Sequence, residues 1–283
     1  MRLGGPLFGD CADPEKWVAA LKQKGYSAAY VPVGPEACDD VVRCYVEAAK
    51  KANIVIAEAG AWSNPMSPDD ETRRKARSLC EAQLNLADRF GARCCVNIAG
   101  SRGPKWDGPY RDDLTEETFG LIVETVRGII DAVKPTRTFF ALETMPWMYP
   151  DSPDCYLRLL KAIDRPGFAV HLDPANLLCS PQRFFGNAEL IRECFAKLGP
   201  HIRSCHAKDI ALSEKLTTHL DEVRPGLGGL DYRVFLEEAS KLDPDTPIML
   251  EHLSSEQEYD LAAEHVRSVA RAASLEIKGQ TTK

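Results

Sequence analysis

The chain has 283 residues, 44% hydrophobic and 27% charged, with a net charge of −7. That composition is globular, and no stretch approaches the roughly 18 uninterrupted apolar residues of a membrane span. The acidic balance argues against DNA or RNA as partners, because phosphate binding needs a basic patch.

The opening segment MRLGGPLFGD lacks a basic region followed by a long apolar one, so it reads as a first strand rather than a secretory signal. That strand, 2–8, leads to a helix opened by Asp13-Pro14, with Asp as N-cap and Pro in the first turn. The helix closes at Lys24-Gly25, where glycine suits a left-handed C-cap. A strand at 28–33, a helix at 37–52, a strand at 53–59 and a helix at 68–90 follow. After the strand at 94–99 comes a long loop, 100–114, whose Gly and Pro residues suit a lid. Thr115 precedes the next helix, with Glu116 and Glu117 in the first turn, where the helix dipole favours negative charge, and Pro135 ends it. The remainder reads as strand 138–143, helix 153–164, strand 168–173, helix 187–198, strand 202–207, helix 231–241, strand 247–252 and helix 256–274.

Eight βα units predict an α/β protein, a (β/α)8 TIM barrel forming one domain over 1–283. The rival, an open doubly wound sheet, usually carries a Gly-rich phosphate loop after its first strand, and neither GxGxxG nor GxxxxGK[ST] occurs here. Ten cysteines, at 11, 38, 44, 80, 94, 95, 155, 179, 194 and 205, form no CxxC pair. They read as reduced thiols acting as small hydrophobes in a cytoplasmic protein.

Four of the later strands end on a metal-binding side chain: Glu143 in FFALET, Asp173 in FAVHLD, His206 in IRSCHAKD and Glu251 in PIMLEHL. A charged group at the end of an apolar run is costly to bury without a partner. Any one of them has an ordinary alternative as a strand-end cap or salt-bridge partner. Four on successive strands point to one shared cation at the C-terminal mouth, where barrel active sites lie. Three carboxylates and one imidazole suit Mn²⁺ first, Mg²⁺ or Co²⁺ next and Zn²⁺ least. Alternation gives His171 and Asp173 a common direction and turns His252 away from Glu251. Lys208 follows His206 by two and faces the same mouth, as a phosphate or carbonyl anchor or as a salt-bridge partner. Trp62 and Trp147 fall just past strand ends, as walls for the C–H faces of a sugar or as ordinary packing.

The motifs FALETMPW, HLDPAN, CHAKDI and MLEHL resemble the xylose isomerase-like barrel superfamily. Within it the chain is most similar to the sugar (phosphate) isomerase/epimerase branch, with ketose 3-epimerases, hydroxypyruvate isomerase and inosose dehydratase. The resemblance implies a Glu, Asp, His and Glu on strands five to eight around one divalent ion, here Glu143, Asp173, His206 and Glu251. PGLGGLDY (225–232) resembles the Gly-rich, Asp-Tyr segment that follows strand seven in many members. Two positions depart from the ketose 3-epimerase pattern. Asn176 stands where a His follows the metal Asp, and Leu212 where an Arg follows the metal His. Asn176, Lys208 and Arg224 are the candidates to handle the substrate in their place.

The expected activity is proton transfer next to a carbonyl of a sugar or sugar phosphate through an enediolate, with Glu143 and Glu251 as the two bases. A dehydratase or lyase reaction on a keto-sugar, keto-glycoside or inosose is the alternative with the same site. Metal-assisted phosphodiester hydrolysis would need more His ligands than six histidines and no basic stripe suggest. A non-catalytic sugar-binding barrel leaves two carboxylates beside one ion without a task. The expected partner is a small carbohydrate, with neither membrane nor nucleic acid, and monomer and homo-oligomer are both open.

Overall fold

The computed structural model describes residues 1–9 and 11–279. Its elements run β1 (Arg2–Gly4), α1 (Pro14–Lys24), β2 (Ala28–Tyr30), α2 (Asp39–Lys51), β3 (Val55–Gly60), α3 (Asp70–Phe90), β4 (Cys94–Asn97), α4 (Glu116–Val133), β5 (Phe140–Glu143) and α5 (Pro153–Ile163). Then come β6 (Phe168–Leu172), α6 (Pro181–Phe185), α7 (Asn187–Leu198), β7 (Ile202–Ala207), β8 (Asp209–Ser213), β9 (His219–Val223), α8 (Tyr232–Ala239), β10 (Pro247–Leu250) and α9 (Glu256–Ala272). Eight strands, β1 to β7 and β10, close into a parallel barrel in which β10 lies between β7 and β1. This is the (β/α)8 architecture that the alternating pattern predicts.

The helices start where the sequence supplies caps. Asp13, Asp69, Thr115, Ser152 and Ser255 each accept a backbone N–H from the residue three ahead. Gly25 and Gly91 close α1 and α3 at φ 66° and 63°, in the left-handed region glycine tolerates. The helices bury Trp17, Leu21, Leu84, Phe90, Ile122, Tyr156, Leu159 and Phe235 against the outside of the barrel.

Several strands are shorter than expected. The first stops at Gly4 rather than residue 8, and the second at Tyr30 rather than 33. The segment 209–223, to which the sequence pattern assigns no element, forms the antiparallel hairpin β8–β9 beside the barrel. Its polar residues satisfy their backbone groups against each other, so no barrel strand has to accept them. No disulfide joins the cysteines among the described residues.

Register decides which side chains face inward. Glu143 pairs with His171, His171 with Ser204, and His206 with Met249, so these share the interior face. Between β2 and β3 the register shifts, leaving Ala57 as one extra residue of β3. Alternation from Val55 would otherwise put Glu58 on the helix side. The extra residue turns its carboxylate into the barrel, as bulges near active sites commonly do.

Candidate metal centre and active site

Glu143 ends β5, and Asp173 and Glu251 lie one residue past β6 and β10, so three carboxylates reach the C-terminal mouth beside His206 of β7. One ligand atom from each of the four lies within 4.8 Å of the others. His206 Nδ1 is 3.2 Å from Glu143 Oε1 and 2.7 Å from Glu251 Oε1. Asp173 is oriented by backbone contacts. Its Oδ1 accepts the N–H groups of Ala175 and Asn176, and its own backbone exchanges hydrogen bonds with the Thr144 hydroxyl. That leaves Oδ2 to point at the focus.

Lys208 sits at that focus. Its Nζ lies 3.2 Å from Glu143 Oε1, 3.0 Å from Asp173 Oδ2 and 2.5 Å from Glu251 Oε1. Despite these approaches, Asp173 Oδ2 and Glu251 Oε1 are buried and accept no hydrogen bond of good geometry. Three carboxylates against one ammonium also leave two negative charges uncompensated when His206 is neutral. Buried atoms short of partners, a charge deficit of two and an oxygen-rich donor set all fit a divalent cation. Glu143, Asp173, His206 and Glu251 could therefore hold one.

Beneath this tetrad lies a second polar layer. Glu58 Oε1 is 3.1 Å from His206 Nε2, and Glu58 Oε2 is 3.2 Å from both His171 Nδ1 and the Ser204 hydroxyl. The His171 and His206 rings meet edge to face at 4.0 Å. Glu58, His171 and His206 also make a metal-competent triad. Glu58 is hydrogen-bonded to the His206 ring as a carboxylate that orients a ligand, whereas His171 is close to it without a hydrogen bond of good geometry.

Without a metal, each ionised group depends on its neighbours. Burial works against the Glu143 carboxylate, but Lys208 and His206 hold its pKa well below the usual range. Glu251 is likewise favoured for protonation by burial, and His206 and Lys208 reverse this. Burial dominates at Asp173 and pushes it up to about 6 against the pull of Lys208. Burial disfavours the charged Lys208 and His206, yet the carboxylates around each raise both well above their ordinary values. Glu58 is lowered to about 2 by the two histidines in spite of its burial.

Above the tetrad is a cavity of about 510 Å³, lined among others by Trp62, Trp106, Trp147, Tyr30, Asn176 and Tyr259. Trp62 stands 6.4 Å from the His206 ring, centroid to centroid. It folds back over Gly60, where a Cβ would collide with the indole nitrogen. Trp147 Nε1 donates to the Asp107 carbonyl at 2.9 Å, which ties the β5 loop to loop 100–114. Asn176 faces this cavity, and its amide donates to Glu143 Oε1 at 3.1 Å and to the Thr144 carbonyl at 3.0 Å.

Two expectations need correction. Arg224 is turned to Glu258 at 2.9 Å and to the Pro225 carbonyl, and does not line the cavity. His252 does line it, because its backbone is left-handed at φ 58° and alternation ends with the strand at Leu250. Thr144 and Ser204 are marked by nothing in the sequence, Asp209 stands there only as a possible salt-bridge partner of Lys208, and Glu58 falls inside the expected strand 53–59. For Glu58 the available signal was a carboxylate inside an apolar strand, the same signal that marked Glu143.

Residues 18–270 match the model of the xylose isomerase-like TIM barrel family. The chain belongs to that family. No curated protein matches it in sequence. Among solved structures, this family member is similar to the probable 3-DHS dehydratase AsbF of Bacillus anthracis, at 17% identity over 95% of this chain and 98% of that one, TM-score 0.68. It is also similar to the 3-keto-D-glucoside 4-epimerase YcjR of E. coli, at 14% identity over 95% and 99%, TM-score 0.67. Endonuclease IV of Thermus thermophilus aligns at 15% identity over 96% and 100%, TM-score 0.72. At such identities the likeness is one of fold. Among the described residues no helix is long and apolar enough to cross a membrane.

Proposed function

We propose that this xylose isomerase-like barrel is a divalent-metal-dependent isomerase or epimerase of a carbohydrate, acting by proton transfer next to a carbonyl. The observation that carries the reading is the pair Glu143 and Glu251. Both are held ionised, both approach His206 Nδ1, and both line the floor of an aromatic-walled cavity. Glu143, Asp173, His206 and Glu251 would hold the ion, with Mn²⁺ as our first choice. Bound there, a divalent ion supplies Lewis acidity toward a carbonyl oxygen and a neighbouring hydroxyl.

The chain's own groups do the rest. One of Glu143 and Glu251 takes the proton from the carbon beside the carbonyl, and the other returns it on the opposite face. Return at the same carbon gives epimerisation, and return at the neighbouring carbon gives isomerisation. Asn176 keeps the Glu143 carboxylate in one orientation, Lys208 compensates negative charge, and the indoles of Trp62 and Trp147 shield the reacting face from water. A positioned base of this kind contributes about 10²–10⁴-fold to rate.

The test is solvent-deuterium incorporation into ketoses and keto-glycosides, with Glu143→Gln and Glu251→Gln as comparators. Gln keeps the shape and removes the basic electron pair, so each variant should lose exchange while remaining folded. Near wild-type exchange in either, with metal bound, would remove that residue as a base. A second reading, elimination of a β-leaving group after the same proton abstraction, is favoured by one observation. Asn176 is committed to Glu143 and Thr144, so no imidazole stands where ketose 3-epimerases carry one. Product analysis separates the two, because elimination creates an unsaturated carbonyl chromophore.

A further inference from the structure

We propose that the mouth takes an uncharged carbohydrate, a free ketose or a keto-glycoside, and discriminates against sugar phosphates and sugar acids. This rests on the carbohydrate reading above and concerns the part of the substrate remote from the reacting carbon.

An anionic substrate end needs a cation that is not already engaged. Among the described residues, the cavity above the tetrad offers none at its remote end. Lys208, 2% exposed, lies on the floor among the tetrad carboxylates, at the reacting end of the cavity rather than the remote one. Lys105, on the rim, has Asp107 3.3 Å away. His252 lies 3.2 Å from Glu222, which also lines the cavity. Arg102 and Arg224 project from neighbouring loops but are turned to Glu117 and Glu258. A phosphate or carboxylate entering here would meet Asp107 and Glu222 as like charges beside each rim cation. Such like-charge juxtapositions act as specificity devices. Guanidinium groups do converge at the opposite end of the barrel, where Arg93, Arg137 and Arg203 share a separate cleft beneath the strand N-termini. The scarcity of cations at the mouth is therefore local.

What the mouth does offer is apolar face with polar edges. Trp62, Trp106 and Trp147 remain 41%, 38% and 37% exposed around the opening. Trp147 is held by its bond to the Asp107 carbonyl, and the Trp106 carbonyl accepts the Ser101 N–H at 2.8 Å. These indoles are presented by braced loops, so little ordering remains to be done when a ligand arrives. Indole faces stack on the C–H faces of a sugar ring, while Asp107, Glu222 and Asn176 accept or donate to its hydroxyls. Three indoles around one opening suit a ring beyond the reacting one, which a glycoside supplies.

The test is isothermal titration of the Mn²⁺-loaded protein with D-fructose, phenyl 3-keto-D-glucoside, D-fructose 6-phosphate and D-fructuronate. The neutral probes should bind, with the glycoside tighter, and each anionic probe at least about tenfold weaker than the better neutral one. Glu222→Lys places a cation on the rim without touching the tetrad and should narrow that gap. An anionic probe that binds as well as the neutral ones would overturn the proposal, as would a panel in which no neutral probe binds. A gap unchanged in Glu222→Lys would overturn rim charge as its cause. Binding is read without turnover, so the two readings fail separately. Neutral sugars that bind but never exchange deuterium would sink proton transfer alone. Exchange that prefers an anionic ketose would sink this inference alone.

Discussion

Glu58 Oε1 lies 3.1 Å from His206 Nε2, while the other nitrogen of the same ring faces Glu143 and Glu251. The carboxylate thus fixes which imidazole nitrogen is offered to the mouth: with Nε2–H donated to Glu58, Nδ1 is the nitrogen whose proton a metal ion would displace. Such a partner raises ligand basicity and orients the ring, and its loss typically costs about 10–100-fold in metal affinity. Glu58→Gln should therefore weaken Mn²⁺ binding by that order, read by competition with a chromogenic chelator, with the circular dichroism spectrum unchanged. Equal affinity in the variant would mean that the ring is held by packing against His171 alone.

Lys208 presents the reverse case, a cation that compensates the tetrad when no metal does. Its 2% exposure and three carboxylate neighbours make it part of a buried ionic cluster. Removing one partner of such a cluster costs about 3–5 kcal/mol because the remaining charges are left uncompensated. Lys208→Met should lower the melting temperature of the metal-free protein, and Mn²⁺ should restore more stability to the variant than to wild type. An unchanged metal-free melting temperature would show that the carboxylates there shed their charge by taking up protons instead.

The sequence made the barrel legible because its signals are local: alternating strands and helices, caps at helix starts, and charged residues at four strand ends. It also revealed that Asp173 and His171 share a direction, a matter of two-residue spacing. Pairwise and backbone effects were not legible. Glu58 faces inward only because β3 carries one residue more than β2 across their pairing. His252 reaches the cavity only because its φ is positive. Lys208 and Arg224 have long flexible stems, so their targets depend on which carboxylate the fold brings closest: the tetrad for one, Glu258 for the other.

Proton competition at the tetrad has a definite sign. Burial raises Asp173 from 3.8 to about 6 in the metal-free protein. Between those values the folded chain holds a proton that the unfolded chain has lost, so this group's contribution to metal-free stability falls as pH rises through the window. Metal binding needs the ionised carboxylate, so affinity should rise through the same window. The gain in melting temperature on adding Mn²⁺ should be smaller at about pH 5 than at about pH 7.5. An equal gain at both would mean that Asp173 does not join the ion.

The last prediction concerns the loop that closes the strand-seven side of the mouth. Asp209, one residue past Lys208, turns away from the tetrad. Its carboxylate accepts four backbone N–H groups, from Ile210 and Leu230 on Oδ1 and from Gly226 and Gly228 on Oδ2. It thereby folds the segment 225–230 back onto the end of β7. Gly228 is required by that approach, since a Cβ there would collide with Asp209 Oδ1 and with the Ile210 carbonyl. Tyr232 just beyond donates to the Lys208 carbonyl at 2.8 Å, so the loop also steadies the backbone under Lys208. Asp209→Ala leaves four donors without their acceptor, and hydrogen bonds to a charged group contribute about 1.5–3 kcal/mol each. Partial rehydration of the loop will recover some of this, so a net loss of more than about 2 kcal/mol is expected in urea denaturation. Gly228→Ala should lose stability as well, through steric conflict rather than through missing acceptors, and the double variant should lose less than the two singles added, because both act on one contact. Full additivity would mean that Gly228 and Asp209 stabilise the loop independently.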